Sequence, residues 1–129
     1  ETGAKESANS VYTYNFVNYR KELQKASERF TPDGWKNFQA TLKDTNNLET
    51  VVSSRLVVNA VATGAPVLLD RGVINGRYAW KVQIPLLVTY RNQTQTFQQP
   101  LNVIIVIIRV PAVNDPKGIR ITQFLASRT

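Results

Sequence analysis

Residues 103–108, with the sequence VIIVII, carry no polar side chain. A helix that spans a bilayer needs about 20 apolar residues, so this stretch of six is too short to cross one. β-Branched residues dominate it, and Pro100 and Pro111 flank it, which favours a buried strand. Because successive side chains of a strand point to opposite faces, a strand that is apolar at every position needs cover on both sides. The stretch therefore predicts a central strand within the core of a folded domain.

The first half of the chain has helical periodicity. Apolar side chains recur at intervals of three and four residues between Phe16 and Phe30, which predicts a helix with one apolar stripe. The sequence FTPDGW predicts the start of a second helix, with Thr31 as its N-cap and Pro32 in its first turn. A short third helical turn is expected over residues 48–52. Helices thus come first in the chain.

After Arg55 the period changes to two, which predicts strands to the end of the chain. Asn75-Gly76 predicts a type I′ hairpin turn. Residues 77–91 alternate between an apolar and a polar face, with Trp80 expected in the core. At about 3.3 Å per residue this strand would measure roughly 50 Å, so we expect it to curve, with the bend at Pro85. Helices followed by about four antiparallel strands predict an α+β fold.

The composition argues against several catalytic mechanisms. The sequence contains no histidine and no cysteine, which removes the usual zinc ligands, a cysteine nucleophile and a Ser-His-Asp triad. Asp70 is the one carboxylate within residues 55–113. Asp-Arg-Gly before a hairpin is more typical of a turn than of a general base. We therefore expect no catalytic residue, no metal ligand and no cofactor.

The positive charge lies in the second half. Residues 1–54 carry seven basic and seven acidic residues, whereas residues 55–129 carry nine basic residues and two carboxylates. Two basic groups are candidates for binding a partner: Arg77, Lys81 and Arg91 on the polar face of the long strand, and Lys21, Lys25 and Arg29 at every fourth position of the first helix. An acidic protein surface, anionic lipid or nucleic acid would suit them, and a merely solvated polar face is the alternative.

Three long segments resemble one family. YNFVNYRKELQKASERFTPDGW, LVVNAVATGAPVLLDRGVINGRYAWKVQIPLLVTY and IIRVPAVNDPKGIRITQF, in that order, are similar to the periplasmic domain of the DotI/IcmL/TraM family of type IVB secretion and conjugation systems. The resemblance covers residues 12–124, nearly the whole chain. It does not separate effector secretion from plasmid conjugation.

The resemblance implies an NTF2-like fold, with N-terminal helices on a strongly curved antiparallel sheet, similar to the eighth VirB component. It implies that residues 12–129 form a periplasmic domain and that residues 1–11 are a linker after a single inner-membrane anchor lying upstream. The implied role is structural and non-enzymatic, with other secretion-channel proteins as partners. We expect homo- or hetero-oligomers in the membrane and a monomeric or weakly associated isolated domain.

Two other functions are open at this point. NTF2-like cones often hold ligands, so a small-molecule-binding protein or enzyme is one alternative. A nucleic-acid-binding module is the other, because the sheet half is basic and tyrosines lie near basic residues. A concave face filled by side chains would argue against the ligand-binding alternative, and an absence of DNA binding at low salt would argue against the third.

Overall fold

The computed structural model describes residue 12 and residues 14–111 and 118–128. In chain order the elements are β1 (Tyr14–Asn15), α1 (Tyr19–Ser27), α2 (Pro32–Asp44), α3 (Asn47–Ser53), β2 (Val57–Ala62), β3 (Val67–Ile74), β4 (Arg77–Arg91), β5 (Thr96–Arg109) and β6 (Ile119–Arg128). The fold is α+β, as the sequence predicted. The expected linker over residues 1–11 lies outside the described residues.

All strands belong to one curved antiparallel sheet of six strands, two more than expected. The order is β1-β2-β4-β5-β6, and β3 pairs with the first half of β4 on the side where β2 pairs with its second half. β4 and β5 form the centre of the sheet and pair along almost their whole length. The turn between β3 and β4 is type I′, because Asn75 and Gly76 both have positive φ angles, of 50° and 79°.

The first helix is shorter than the periodicity predicted. It begins at Tyr19, and the residues before it form the short strand β1 and a turn. The side chain of Asn15 accepts hydrogen bonds from the N–H groups of Val17 and Asn18, both at 2.9 Å. This local side-chain pairing offers the backbone an alternative to helix, which apolar spacing alone does not reveal.

The junction between α1 and α2 is attached to β6. The N-cap prediction is confirmed, since the Thr31 hydroxyl accepts a hydrogen bond from the N–H of Gly34 at 3.1 Å. The N–H of Thr31 donates to the carbonyl of Ile121, and the N–H of Ile121 donates to the carbonyl of Arg29, each at 2.8 Å. These bonds fix the position at which the helices cross the sheet.

The core lies between the helices and the concave face of the sheet. Its largest buried side chains include Phe38 of α2, Ile84 of β4 and Ile105 of β5. On β5, the prediction of a central strand is confirmed, but cover on both sides is not. Alternate residues such as Val103 and Ile105 are buried, whereas on the outer face Val106 is buried but Ile104 and Ile108 are only half-buried.

Candidate functional site

Arg77, Lys81 and Arg91 lie on the outer face of β4 and are all exposed, as their alternation predicted. They do not form one patch, because Arg77 and Arg91 are the two ends of a strand of 15 residues, roughly 45 Å apart along it. The Arg77 guanidinium donates to the carbonyl of Arg109 at 3.3 Å. Lys81 lies opposite Asp70 of β3 and Val106 of β5. Each therefore belongs to a different part of the surface.

Lys21 and Lys25 lie one turn apart on the exposed side of α1. The ammonium group of Lys25 lies 3.8 Å from a carboxylate oxygen of Glu22, and this is the one ion pair between residues that the structure describes. Arg29 follows the C-cap residue Glu28 and is half-buried. The expected ridge of three basic residues is thus reduced to two exposed lysines, one of them paired.

Asp70 lies within β3 rather than in a turn, because the strand continues to Ile74. This corrects the expectation of a turn at Asp-Arg-Gly. The carboxylate is exposed and accepts a hydrogen bond from the N–H of Arg71 at 2.8 Å. Asp70 is on the outer face opposite Lys81 of β4, so its surroundings are those of a solvated side chain.

The concave face continues beyond the helices at one end of the sheet. Tyr78, which the alternation placed with the core, is 64% exposed, and Trp80 is only partly buried. The reason is geometric: 13 residues of α2 extend about 20 Å, whereas 15 residues of β4 extend roughly 50 Å. The length of β4 is therefore the feature of the sequence from which the exposure of its first residues, beyond the end of the helices, could have been predicted.

This uncovered end forms a cleft of about 720 Å³, called the end cleft below. Its lining includes Arg71 and Val73 of β3, Tyr78 and Trp80 of β4, and Arg109 of β5. The Arg109 guanidinium lies 5.7 Å from the centre of the Trp80 ring, and the Tyr78 and Trp80 rings are 6.5 Å apart. The end cleft combines apolar and aromatic surface with two arginines, and neither Arg71 nor Arg109 was singled out from the sequence.

A buried polar network joins four elements at the opposite end of the core. Tyr14 of β1 donates to the side-chain carbonyl of Asn47 of α3, whose amide donates to the hydroxyl of Tyr90 of β4. Tyr90 in turn donates to the side chain of Gln99 of β5 at 3.1 Å. Burial, followed by the nearby Tyr90, raises the pKa of Tyr14 well above its usual value, so this hydroxyl remains a neutral donor.

Burial also raises the pKa of Tyr90, against the opposing effects of its hydrogen bond with Asn47 and of the Arg128 charge. A pocket of about 350 Å³ opens beside this network, lined in part by Thr45, Gln98 and Arg128. The network satisfies its own buried polar groups, which is a structural role.

Neither a metal centre nor a membrane helix is found in the described part of the chain. Residues 12, 14–111 and 118–128 contain no cluster of three or more His, Cys, Asp or Glu side chains suited to a metal ion. Within the same residues, none of the helices has the length and apolar character needed to cross a membrane.

The family comparison covers almost the whole chain. Residues 3–128 match the model of the DotI/IcmL family, described as an inner-membrane complex component of the type IVb secretion system. The chain belongs to this family. It is thus a structural component of a type IV secretion apparatus, as the resemblance of the three segments implied. No curated protein sequence matches the chain.

Solved structures agree with this membership. The periplasmic domain of DotI is 48% identical, with a TM-score of 0.92, and the match covers 99% of this chain and 92% of that domain's solved chain. A periplasmic fragment of TraM is 26% identical, with a TM-score of 0.91 and coverage of 99% and 94%. CagV of Helicobacter pylori strain 26695, a VirB8 homologue, has a TM-score of 0.66 at 9% identity, with coverage of 100% and 99%.

The similarity of this DotI/IcmL family member to CagV shows a shared fold and confirms the expected NTF2-like, VirB8-like architecture. The part of the chain that matches DotI and TraM is periplasmic in both of those proteins.

Proposed function

We propose that this domain is a non-enzymatic contact module on the periplasmic side of a type IVB secretion complex, where it binds other proteins of the apparatus. The observation that carries the proposal is the family match over residues 3–128. The chemistry of the chain supports it. The sequence has no histidine and no cysteine, and Asp70, the carboxylate considered as a general base, is exposed on the outer face.

The exposed basic residues of β4 are proposed as partner contacts. Arg77, Lys81 and Arg91 lie on a sheet face that also carries exposed aliphatic side chains, among them Val61 and Leu125. Exposed charges contribute little to folding stability but strongly influence which surfaces associate and how fast. The same proposal, with less support from the structure, extends to Lys21, Lys25 and Arg29.

Charge reversal tests this proposal in cells that depend on the full-length protein. The triple variant Arg77→Glu, Lys81→Glu, Arg91→Glu is expected to fold, with a loss of unfolding free energy below about 1 kcal/mol. Substrate transfer and co-purification with other secretion proteins should fall by about tenfold or more, because the face then repels an acidic partner.

Two matched variants complete the experiment. The conservative triple Arg77→Lys, Lys81→Arg, Arg91→Lys keeps the charge and should retain transfer. A second triple, Lys21→Glu, Lys25→Glu, Arg29→Glu, tests the helix separately. Wild-type transfer by a correctly folded β4 reversal variant would show that this face is only solvated.

A further inference from the structure

The free edge of β3 and the end cleft adjoin each other. β3 pairs with β4 on one side and with no described strand on the other, and all eight of its residues are exposed. Its side chains include Val67, Leu68 and Val73, the last of which is 64% exposed. A long exposed edge with apolar side chains is a ready template for pairing with another strand. We infer that β3 binds an extended segment of a partner protein that carries carboxylate and aliphatic side chains in alternation.

The register with β4 determines which side chains such a segment would meet. Arg71 lies opposite Trp80, so it points to the concave face together with Val73 and the end cleft. Asp70 lies opposite Lys81 on the outer face. A strand added to β3 would therefore place every second side chain beside Arg71 and Val73. A carboxylate fits the first position, and an aliphatic group fits the second.

Charge supports the acidic character of the segment. Arg71 and Arg109 both line the end cleft, and the one ion pair between described residues is Lys25–Glu22, on α1. Asp70 is directed away from this cleft, to the outer face. A bound carboxylate opposite Arg71 would lie beside its guanidinium group, and Arg109 adds positive charge to the same cleft next to the Trp80 ring, where partial exclusion of water strengthens the attraction.

A polypeptide fits this surface better than a nucleic acid does. Only a peptide backbone presents N–H and C=O groups at the spacing of about 3.3 Å that a strand edge can bind. Tyr78 and Trp80 could stack on bases, but a base-stacking platform makes no use of the free edge of β3.

A second copy of the chain is a poorer occupant. In an antiparallel pair related by a two-fold axis, the residue at the axis faces its own copy. Pairing centred on Asp70 or Arg71 would place like charges opposite each other, which is destabilising. Centring on Leu69 or Gly72 would place Asp70 and Arg71 beside aliphatic residues. A strand of different sequence can instead place a carboxylate opposite Arg71 and an aliphatic side chain opposite Val73.

A fluorescein-labelled peptide with the blocked sequence Thr-Val-Thr-Glu-Thr-Val-Thr-Glu-Thr tests the inference by anisotropy with the wild-type chain. Binding is expected, and replacing both glutamates by lysines should weaken it by about tenfold or more. The variant Arg71→Glu, Arg109→Glu should reverse this preference. Both residues are exposed, and circular dichroism checks that the variant folds.

Two further peptides carry N-methyl groups on every second amide, one at the odd and one at the even positions. If the peptide pairs with the edge, one of the two should no longer bind, because it lacks the backbone donors that face β3. Equal binding by both methylated peptides and the parent would overturn strand addition. Binding of a thymidine 12-mer but not of the peptide would overturn the choice of partner. The choice of partner would also be overturned by a second result. In it, sedimentation shows that the chain associates with itself, the Arg71→Glu, Arg109→Glu variant does not, and the peptide does not bind.

This inference rests on the proposed function, since it names one class of partner that the contact module would bind. The proposed function and this inference can fail independently. The peptide experiment measures binding in solution and does not require transfer. The β4 charge-reversal variant, which tests the proposed function, keeps Arg71 and Arg109 unchanged.

Discussion

Phe38 is the residue on which the aromatic part of the core is centred. Its ring centre lies 5.0 Å from that of Phe124, 5.3 Å from that of Phe30 and 5.9 Å from that of Tyr12. It is fully buried, whereas Trp80 has its ring at the edge of the end cleft. Two large aromatic residues, one on a helix and one on a strand, thus have different roles.

Alanine substitutions should separate these roles. Phe38→Ala is expected to reduce the free energy of unfolding by about 3–5 kcal/mol, because it leaves a cavity in a closed core. Trp80→Ala should cost less, about 1–2 kcal/mol, since the ring lies at the edge of the end cleft and is only partly buried. Urea denaturation of the two variants beside the wild type measures both. A loss for Trp80→Ala as large as that for Phe38→Ala would mean that the end cleft is closed in solution.

At the scale of elements, the contact of α2 with β6 determines how the helices sit on the sheet. Gly34 in the first turn of α2 lies against the backbone of Ile121, so close that a Cβ atom would come within 2.1 Å of the carbonyl oxygen. Thr31 binds to the same carbonyl through its N–H. The glycine is therefore required by the approach of two backbones.

Gly34→Ala is a sharp test of this contact, because local and tertiary effects have opposite signs. Helix propensity alone predicts a gain of about 1 kcal/mol. The clash with Ile121 predicts a net loss of about 2 kcal/mol or more, since backbone on both sides must move. Asn37→Ala, on the exposed side of the same helix, is the control and should change stability by less than about 0.5 kcal/mol. A stabilised Gly34→Ala variant in denaturant melts would contradict the contact.

At the scale of the whole molecule, the network of Tyr14, Asn47, Tyr90 and Gln99 joins β1, α3, β4 and β5 at the end of the sheet away from the end cleft. One end of the domain is therefore held together by buried hydrogen bonds, beside a pocket of about 350 Å³. The other end is open and presents arginines and aromatic rings.

This network predicts a dependence of stability on alkaline pH. Because burial raises the pKa of Tyr14 in the folded state, its contribution is fully present below about pH 10, the unfolded value, and is lost as the pH rises further. The unfolded state ionises first, so stability should fall by up to about 1.4 kcal/mol per pH unit for each such tyrosine.

Tyr14→Phe should lose about 1–3 kcal/mol at pH 7, because Asn47 loses a donor, and should then show a shallower decline between pH 9 and 11. The matched control is Tyr78→Phe, which changes an exposed tyrosine and should alter the free energy of unfolding at pH 7 by less than about 0.5 kcal/mol. Parallel curves for wild type and Tyr14→Phe in urea melts across this range would refute the linkage.

Local chemistry was enough to predict several features of this protein. The N-cap at Thr31, the type I′ turn at Asn75-Gly76 and the central position of β5 each depend on residues adjacent in the chain. Apolar periodicity, likewise a local property, separated the helical half from the sheet and predicted the α+β class. The effects of polar side chains were harder to predict. Two hydrogen bonds to the Asn15 side chain hold the backbone before α1 in a turn, where the spacing of apolar residues indicated helix.

The extent of the helical cover was decided only by the tertiary structure. Alternation along β4 shows which side chains share a face, but whether that face is buried depends on how far the helices extend over it. Tyr78 and Val82 share the concave face, yet one is exposed and the other is buried. Arg71 and Arg109 are 38 positions apart in the chain and line the same end cleft only because β4 pairs with both of their strands. Such pairings are long-range contacts, whereas patterns in sequence report mainly on neighbours.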